Sequence, residues 1–190
     1  MYGLMHGSLF HPEEKYSETL RKVVIWVVDI IAAAVFALLL FIWFGTGVPV
    51  QGRSMEPTIL TGEQVYLDRI AYRLVSPDRF DCVVFLRGGE YSVRRIAGLP
   101  GETVQIADGI LYIDGEETAL PGTGDLIQYA GLASEPVVLG FDEYFVLGDN
   151  INGSEDSRQA LTGNIRESEI VGRVWGHRAG SRIEFLHEKS

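Results

Sequence analysis

The sequence predicts a mostly β, antiparallel domain that is joined to one N-terminal transmembrane helix. An uninterrupted apolar run occupies residues 23–44, and the rest of the chain contains many short strand-like runs separated by turn-forming residues. These two observations define three expected segments. They are a cytoplasmic N-terminal tail at 1–22, a transmembrane helix at 23–44 and an extracytoplasmic β-domain at 45–190.

The apolar run is VVIWVVDIIAAAVFALLLFIWF, and its single charged residue is Asp29. As a helix it rises about 33 Å, which is enough to cross the hydrocarbon layer of a membrane. Trp26 and Trp43 lie near its two ends, where indole rings favour the lipid–water interface. The run is too long for the core of a cleaved signal peptide, and GTGVPV is a poor cleavage site. The sequence therefore predicts a retained membrane anchor.

The charges around the run predict its orientation. Lys15, Arg21 and Lys22 precede it, and the first charge after it is Arg53. Because basic residues concentrate on the cytoplasmic side, we expect a cytoplasmic N-terminus in a single-pass cell-membrane protein surrounded by lipid. Two interpretations of Asp29 stay open. It is an intramembrane functional or partner-binding carboxylate, or its side chain reaches toward the interface.

Composition excludes several classes of protein. The formal net charge of -10 argues against a nucleic-acid partner, because such a partner requires basic residues to neutralise its phosphates. Cys82 is the one cysteine, so no intramolecular disulfide can form. The four histidines, at positions 6, 11, 177 and 187, have no zinc-ligand spacing with it. We expect neither a metal nor another cofactor.

The predicted strands follow one another closely in the β-domain. They are EQVYLDRIAY, DCVVFL, YSVRRIAG, TVQIA, ILYIDG, YFVLGD and VGRVWG. The stretch QIADGILYIDGEE predicts a hairpin around Asp108-Gly109 and a second turn at Asp114-Gly115, since Asp-Gly favours tight hairpin turns. Residues 121–140 have the composition of a loop.

Ser54 stands in the stretch QGRSMEPTIL, shortly after the apolar run. Alone, this stretch predicts no more than a turn. The ring of Pro57 fixes the φ angle of that residue, and the side chain of Ser54 or Thr58 caps the turn. A serine hydroxyl becomes a nucleophile only when a base removes its proton. Two further stretches accompany it downstream: YSVRRIAGLPGETV (91–104) and YFVLGDNINGSEDSR (144–158).

Together the three stretches resemble the type I signal peptidases, the leader-peptidase family. The matching pieces are SMEPT (54–58), GLPGE (98–102), GDN (148–150) and SEDSR (154–158). Their order and spacing agree with the family, and the match runs from the anchor to about residue 176. The short length and single anchor resemble Gram-positive members. The resemblance implies the antiparallel β fold of the Ser/Lys peptidases, exported on a membrane anchor.

The family cleaves signal peptides from exported preproteins after small residues at the -1 and -3 positions, using a serine and a neutral lysine. The resemblance implies that Ser54 is the nucleophile and that its own N–H binds the oxyanion. Gly52 stands where some members carry a second, hydroxyl donor. Ser154 falls where a serine hydrogen-bonds the lysine. Asp156 and Arg158 fall where a carboxylate–guanidinium pair braces the site.

Arg94 departs from the family, because it occupies the position of the lysine base. The pKa of a guanidinium exceeds about 12, so Arg94 stays protonated even when it is buried. We expect it to recruit a carboxylate, with Asp149, Glu155 and Asp156 as candidates.

The remaining basic side chains make poor substitutes for the missing base. Lys15 and Lys22 precede the anchor, and Lys189 lies beyond the matched region. His177 is far along the sequence from position 94. The sequence therefore offers no convincing acceptor for the Ser54 proton.

Two functions stay open at this point. The main expectation is a signal peptidase I-family membrane serine endopeptidase with Ser54 as nucleophile, which works slowly or with an unorthodox base because Arg94 stands in the lysine position. The other is a catalytically silent relative that binds exported peptides by strand addition and assists secretion or the assembly of surface proteins or pili. The segment at 151–153, Ile-Asn-Gly, replaces the usual polar residues of the third stretch and favours the second function. A self-cleaving repressor-type Ser/Lys protease shares Ser-Met-x-Pro, but the anchor and GLPGE argue against it.

Overall fold

The structure is a computed structural model that describes residues 12–44, 47–122 and 124–186. The chain divides into two compact units, Met1–Ile42 and Trp43–Ser190. In the first unit, helix α1 (Pro12–Phe44) includes the stretch Glu18–Ile42, which by length and composition can span a membrane. All side chains of that stretch are exposed within the protein, as expected for a helix surrounded by lipid.

The described part of the second unit is built mainly from short strands. In chain order they are β1 (Gly47–Pro49), β2 (Gln64–Asp68), β3 (Cys82–Arg87), β4 (Glu90–Gly98), β5 (Thr103–Ala107), β6 (Ile110–Ile113), β7 (Glu116–Glu117), β8 (Val137–Val138), β9 (Glu143–Leu147), β10 (Ile165–Arg166), β11 (Ile170–Ala179) and β12 (Arg182–Phe185). Helix α2 spans Ala71–Leu74, and 3₁₀ turns span Gly131–Ser134 and Glu167–Glu169.

The strands form two antiparallel sheets. The larger has the order β1-β2-β11-β3-β4-β9-β10, with β12 paired to β11, and the smaller has the order β7-β6-β5-β8. Every pairing in the described residues is antiparallel. The predicted fold class, a mostly antiparallel β-domain with one N-terminal apolar helix, is confirmed.

The hairpin predicted from QIADGILYIDGEE is also confirmed. Strand β5 pairs with β6, and β6 pairs with β7, so both Asp-Gly pairs lie at turns. Asp108 and Gly109 have φ angles of 51° and 79°, and the second pair has 52° and 83°. A type I′ turn requires positive φ at both central residues, which Asp and Gly tolerate.

Two segments differ from the sequence expectation. The predicted strand EQVYLDRIAY stops at Asp68, whose carboxylate accepts the N–H groups of Ile70 and Ala71 and turns the chain into α2. The stretch predicted as loop at 121–140 contains a 3₁₀ turn and strand β8, and Leu139 in it is buried in the core. The composition of residues 121–140 is typical of a loop and therefore did not predict that part of this stretch packs into the core.

One core cluster lies directly beneath the Ser54 turn. It includes Met55 and Ile59, both fully buried, together with strand residues of β2, β3, β4 and β11. Burying a side chain of this size contributes about 1.5–3 kcal/mol. The residue that follows Ser54 is therefore an anchor that fixes the turn on the sheet.

Candidate active site

Ser54 lies in a tight turn between the end of β1 and the start of β2. Backbone hydrogen bonds run from Glu56 N to Arg53 O and from Ile59 N to Met55 O. The Ser54 carbonyl accepts the N–H of Asn150 at 3.0 Å, which ties the turn to the segment after β9. Ser54 is 9% exposed, so its environment is almost fully defined by protein atoms.

Arg94 on β4 is the basic residue that contacts Ser54. Its Nη1 donates a hydrogen bond to Ser54 Oγ at 2.8 Å, and Arg94 is itself 9% exposed. The sequence alignment thus placed residue 94 correctly beside residue 54. The direction of the bond matters, because a guanidinium donates to the serine oxygen and has no lone pair with which to accept its proton.

The remaining hydrogen bonds of Arg94 go to backbone carbonyls. Nε and Nη2 donate to Glu155 O at 2.9 and 2.5 Å, and Nη1 also donates to Val93 O at 2.6 Å. Burial lowers the pKa of Arg94 from its ordinary value, and the charges of Asp156 and Glu155 oppose this effect. Because that ordinary value is so high, the guanidinium remains charged at neutral pH.

The expectation that Arg94 recruits a carboxylate is wrong. Asp149 forms a buried bidentate pair with Arg95, at 2.8 and 2.7 Å. Consecutive residues of a strand point to opposite faces, so Arg95 and Arg94 reach different partners. Asp156 pairs with Arg158, and Glu155 contributes its backbone oxygen while its side chain is exposed.

Asp156 and Arg158 form a fully buried brace behind the Ser54 turn. Asp156 accepts Arg158 Nε and Nη2, each at 2.8 Å, and also the N–H of Gly148 at 3.1 Å. Arg158 donates further to Ile151 O and Tyr129 O. The pair thus holds the segment that binds the Ser54 carbonyl.

Ser154 has a buried hydroxyl with no hydrogen-bond partner among the residues that the structure describes. It lies beside Gly148, close to the Ser54 carbonyl. The family resemblance implies a lysine amine as its partner, whereas the longer Arg94 side chain bonds to the carbonyl of the next residue, Glu155. An unpaired buried hydroxyl costs free energy, so the site retains a donor and acceptor that Arg94 does not use.

Gly148 permits the close approach of Ser54 and Ser154. A Cβ at this position would lie 2.2 Å from Ser154 Oγ and 2.4 Å from Ser54 O. We expect Gly148→Ala to lower the free energy of unfolding by about 1–3 kcal/mol, because the carbonyl belongs to a fixed backbone. Gly124→Ala is the matched control, since nothing lies within 4 Å of its Cβ. Thermal unfolding of both variants checks the prediction, and equal melting temperatures would contradict it.

None of the residues considered as a substitute base is seen next to Ser54: His177 and Lys22 lie elsewhere, and the side chains of the other two lysines fall outside what the structure describes. His177 on β11 is buried, and its Nδ1 is 2.7 Å from Glu63 Oε2. Lys22 is exposed on α1, while the Lys15 side chain and all of Lys189 fall outside the described residues. Within the described part of the chain, no lysine or histidine hydrogen-bonds to Ser54.

A groove of about 450 Å³ opens beside Ser54 and Arg94. It is lined by residues 48–51, by Ser54 and by residues 90–94 of β4. Strand β4 pairs with β9 only from Arg95 onward, so the outer edge of its first half has no partner strand among the described residues. An unpaired edge can pair with an extended peptide. The sequence analysis expected an extended peptide to bind by strand addition. It did not indicate the edge, which depends on where the pairing of β4 with β9 begins.

No group of three or more potential metal ligands occurs among the described residues. The thiol of Cys82 is buried, and burial raises its pKa to about 12. A thiol in this state is neutral and unreactive at physiological pH. Ser54 is therefore the candidate nucleophile that faces a groove.

Comparison with known proteins agrees with these features. A family model described as signal peptidase, peptidase S26, matches residues 23–176. Signal peptidase I of Bacillus licheniformis is 34% identical over 170 residues, which cover 84% of this chain and 90% of that protein. Signal peptidase I T of Bacillus subtilis is 36% identical over 158 residues, covering 77% and 80%.

A crystal structure of a signal peptidase I from Enterococcus faecalis V583 is 30% identical in its aligned part. It covers 52% of this chain and 96% of that chain, with a TM-score of 0.44. The family model spans most of the sequence, from the apolar helix through the Ser54 turn and strand β4 to β11. The chain therefore belongs to the signal peptidase family, peptidase S26.

Proposed function

We propose that this chain handles the signal peptides of exported preproteins, binding the region around the cleavage site in the groove beside Ser54. Family membership supports the process, and the groove with its unpaired β4 edge supports the mode of binding. An extended peptide that adds to the edge at 90–93 would bring one of its carbonyl groups to Ser54.

The membrane anchor fits this role. Basic residues precede the apolar stretch, so the N-terminal tail at 1–22 is cytoplasmic, the helix over 23–44 spans the membrane and the β-domain at 45–190 is extracytoplasmic. Lipid surrounds the helix. This topology holds the groove on the side where signal peptides emerge from export.

Ser54 is the nucleophile of this proposal. Its Oγ lines the groove, and its backbone N–H has no acceptor among the described residues. That N–H can donate to the oxyanion that forms when the serine attacks a carbonyl. Asp149, Asp156 and Arg158 act through position, since their buried ion pairs fix the segments around Ser54 rather than touch the peptide. Ser154 supports the site by packing against Gly148, and its hydroxyl makes no hydrogen bond among the described residues.

One observation decides how much chemistry the site supports: the hydrogen bond from Arg94 Nη1 to Ser54 Oγ. Arg94 cannot accept the proton that Ser54 must lose, so the function supported best is peptide capture with at most slow hydrolysis. Positioning and oxyanion binding alone leave a residual rate in serine proteases that lack their base.

A fully working signal peptidase is the second candidate. It is favoured by the intact nucleophile, its N–H and the buried braces of the site. It requires that water in the groove accept the Ser54 proton while the Arg94 charge stabilises the alkoxide.

A bulky side chain in the groove should weaken peptide binding. We expect Ser92→Trp to weaken binding of a labelled peptide that spans an Ala-x-Ala cleavage site at least ~10-fold, because the indole occupies the space beside the β4 edge. The measurement is fluorescence anisotropy with the full chain in detergent. Leu161→Trp is the control, since Leu161 is 89% exposed and does not line the groove. Equal binding by the two variants would locate the peptide elsewhere.

A further inference from the structure

Arg94 differs from the other two arginines of the Ser54 site because no carboxylate among the described residues hydrogen-bonds to it. Asp156 and Glu155 act on it only through their charge at longer range, and Glu90 also lines the groove. Arg95 is neutralised by Asp149 and Arg158 by Asp156, each in a buried bidentate pair. Arg94 is equally buried, but its hydrogen-bond partners in the described residues are neutral: Ser54 Oγ and two backbone carbonyls. A buried guanidinium without a carboxylate in direct contact is less stable than a paired one, so a ligand anion that contacts Arg94 is favoured.

The same site has hydrogen-bond donors that are not used among the described residues. Arg94 uses four of its five N–H groups in the described hydrogen bonds. Ser54 Oγ accepts from Arg94, so the hydroxyl proton can point elsewhere, and it has no acceptor among the described residues. The Ser54 backbone N–H also lacks one there. Both residues line the groove, so a ligand bound there lies next to the residues that carry these unused donors.

We propose that this site binds the C-terminal carboxylate of an extended peptide. The peptide pairs with the free β4 edge, and its terminal carboxylate lies against Ser54 and the Arg94 guanidinium, which is a geometry that guanidinium groups favour. The inference rests on the proposed function and names its ligand: a peptide that already ends after the small-x-small motif, such as a released signal peptide, rather than an uncut preprotein.

The chemistry distinguishes the two kinds of ligand. An uncut chain presents a neutral amide carbonyl to Ser54, which leaves the Arg94 charge without a counter-ion. A terminal carboxylate at the same place supplies a negative charge and two acceptor oxygens. Charge-assisted hydrogen bonds of this kind are stronger than neutral ones, so we expect a preference on the order of 10–100-fold for the carboxylate.

The experiment compares two labelled peptides with the same sequence, ending in Ala-x-Ala and carrying either a free carboxylate or a C-terminal amide. Anisotropy titrations use the full chain in detergent. The native chain should bind the carboxylate form on the order of 10–100-fold more tightly. Arg94→Gln should remove the preference, whereas Arg182→Gln, which removes an exposed charge from β12, should retain it.

Three outcomes would overturn the proposal. Equal binding of both peptides by the native chain would leave groove binding standing but refute the carboxylate site. Failure of both peptides to bind would refute the proposed function as well. A third peptide ends in Asp and carries a C-terminal amide, so its carboxylate belongs to a side chain. If it binds as tightly as the free-carboxylate peptide, the site accepts any carboxylate and does not select the peptide terminus. The comparisons on native protein remain decisive if Arg94→Gln does not fold.

Discussion

The Arg94→Lys variant is expected to cleave a preprotein with an Ala-x-Ala site at least ~10²-fold faster than the native chain. A general base contributes about 10²–10⁴-fold to such a reaction, and Arg94 supplies none. A lysine at this buried position has its pKa lowered by desolvation, so a fraction of its amine is neutral near physiological pH. Residue 94 already lies against Ser54 Oγ, and the unpaired Ser154 hydroxyl can hydrogen-bond the new amine.

Four proteins make this test decisive: native, Arg94→Lys, Ser54→Ala and the double variant. The measurement is the rate of preprotein cleavage in detergent, with peptide binding as the check on folding. Only Arg94→Lys should cut rapidly. Its rate should rise with pH as the lysine loses its proton, since the neutral amine is the active form. Rapid Ser54-dependent cleavage by the native chain would reveal another base. A folded, peptide-binding Arg94→Lys variant that does not cut would show that the site lacks more than its base.

In the Ser54 site, Arg94 occupies the place where a base would contact Ser54 Oγ, and the Ser154 hydroxyl beside it has no hydrogen-bond partner among the described residues. Gly148 packs closely against Ser154 Oγ and the Ser54 carbonyl, and the buried Asp156 carboxylate accepts the Gly148 N–H and pairs with Arg158. Arg94 enters this arrangement by extending past Ser154 to the Glu155 carbonyl. Backbone carbonyls and Ser54 Oγ thus hold the Arg94 guanidinium, while the Arg95–Asp149 and Arg158–Asp156 pairs form separately from it. This is why a single substitution should restore the chemistry.

Side-chain patterns in the sequence were sufficient for the fold class, the N-terminal apolar helix and the Asp-Gly turns. The family resemblance pointed to positions 54 and 94, which are in contact in the structure. The side-chain patterns were insufficient for the partners of Arg94. The sequence analysis considered side-chain carboxylates, whereas the observed acceptors are the carbonyls of Val93 and Glu155, which any residue type provides. Nor does a motif indicate that Asp149 is already paired with Arg95 on the opposite face of β4.

The position of the groove beside Ser54 and Arg94 could not be predicted from the sequence for a similar reason. Its position depends on strand register, because β9 pairs with β4 only beyond residue 94. Register follows from long-range packing of the two sheets, which one sequence does not specify locally. The end of β2 shows the same limit on a smaller scale. The residue propensities predict a strand that runs past Asp68. In the structure the strand ends there, because the Asp68 carboxylate accepts two N–H groups of the following turn.

Removing the Asp156 carboxylate is expected to lower the free energy of unfolding of the β-domain by about 3–5 kcal/mol. Asp156 and Arg158 have side chains that are 0% and 3% exposed, so Asp156→Ala leaves a buried guanidinium without its counter-ion. It also removes the acceptor of the Gly148 N–H, which is part of the support of Ser54. In a domain of this size, such a loss corresponds to a fall in melting temperature of roughly 10 °C or more.

Thermal unfolding of the full chain in detergent, followed by circular dichroism, measures this effect. Arg53→Gln is the matched control, because Arg53 has a 77% exposed side chain paired with Glu56, and exposed ion pairs contribute about 0–1 kcal/mol. The double variant Asp156→Ala, Arg158→Met should be more stable than Asp156→Ala alone, since it removes the uncompensated charge and keeps apolar volume. If the double variant is no more stable than the single one, the cost lies in the lost Gly148 hydrogen bond and the cavity rather than in the buried charge.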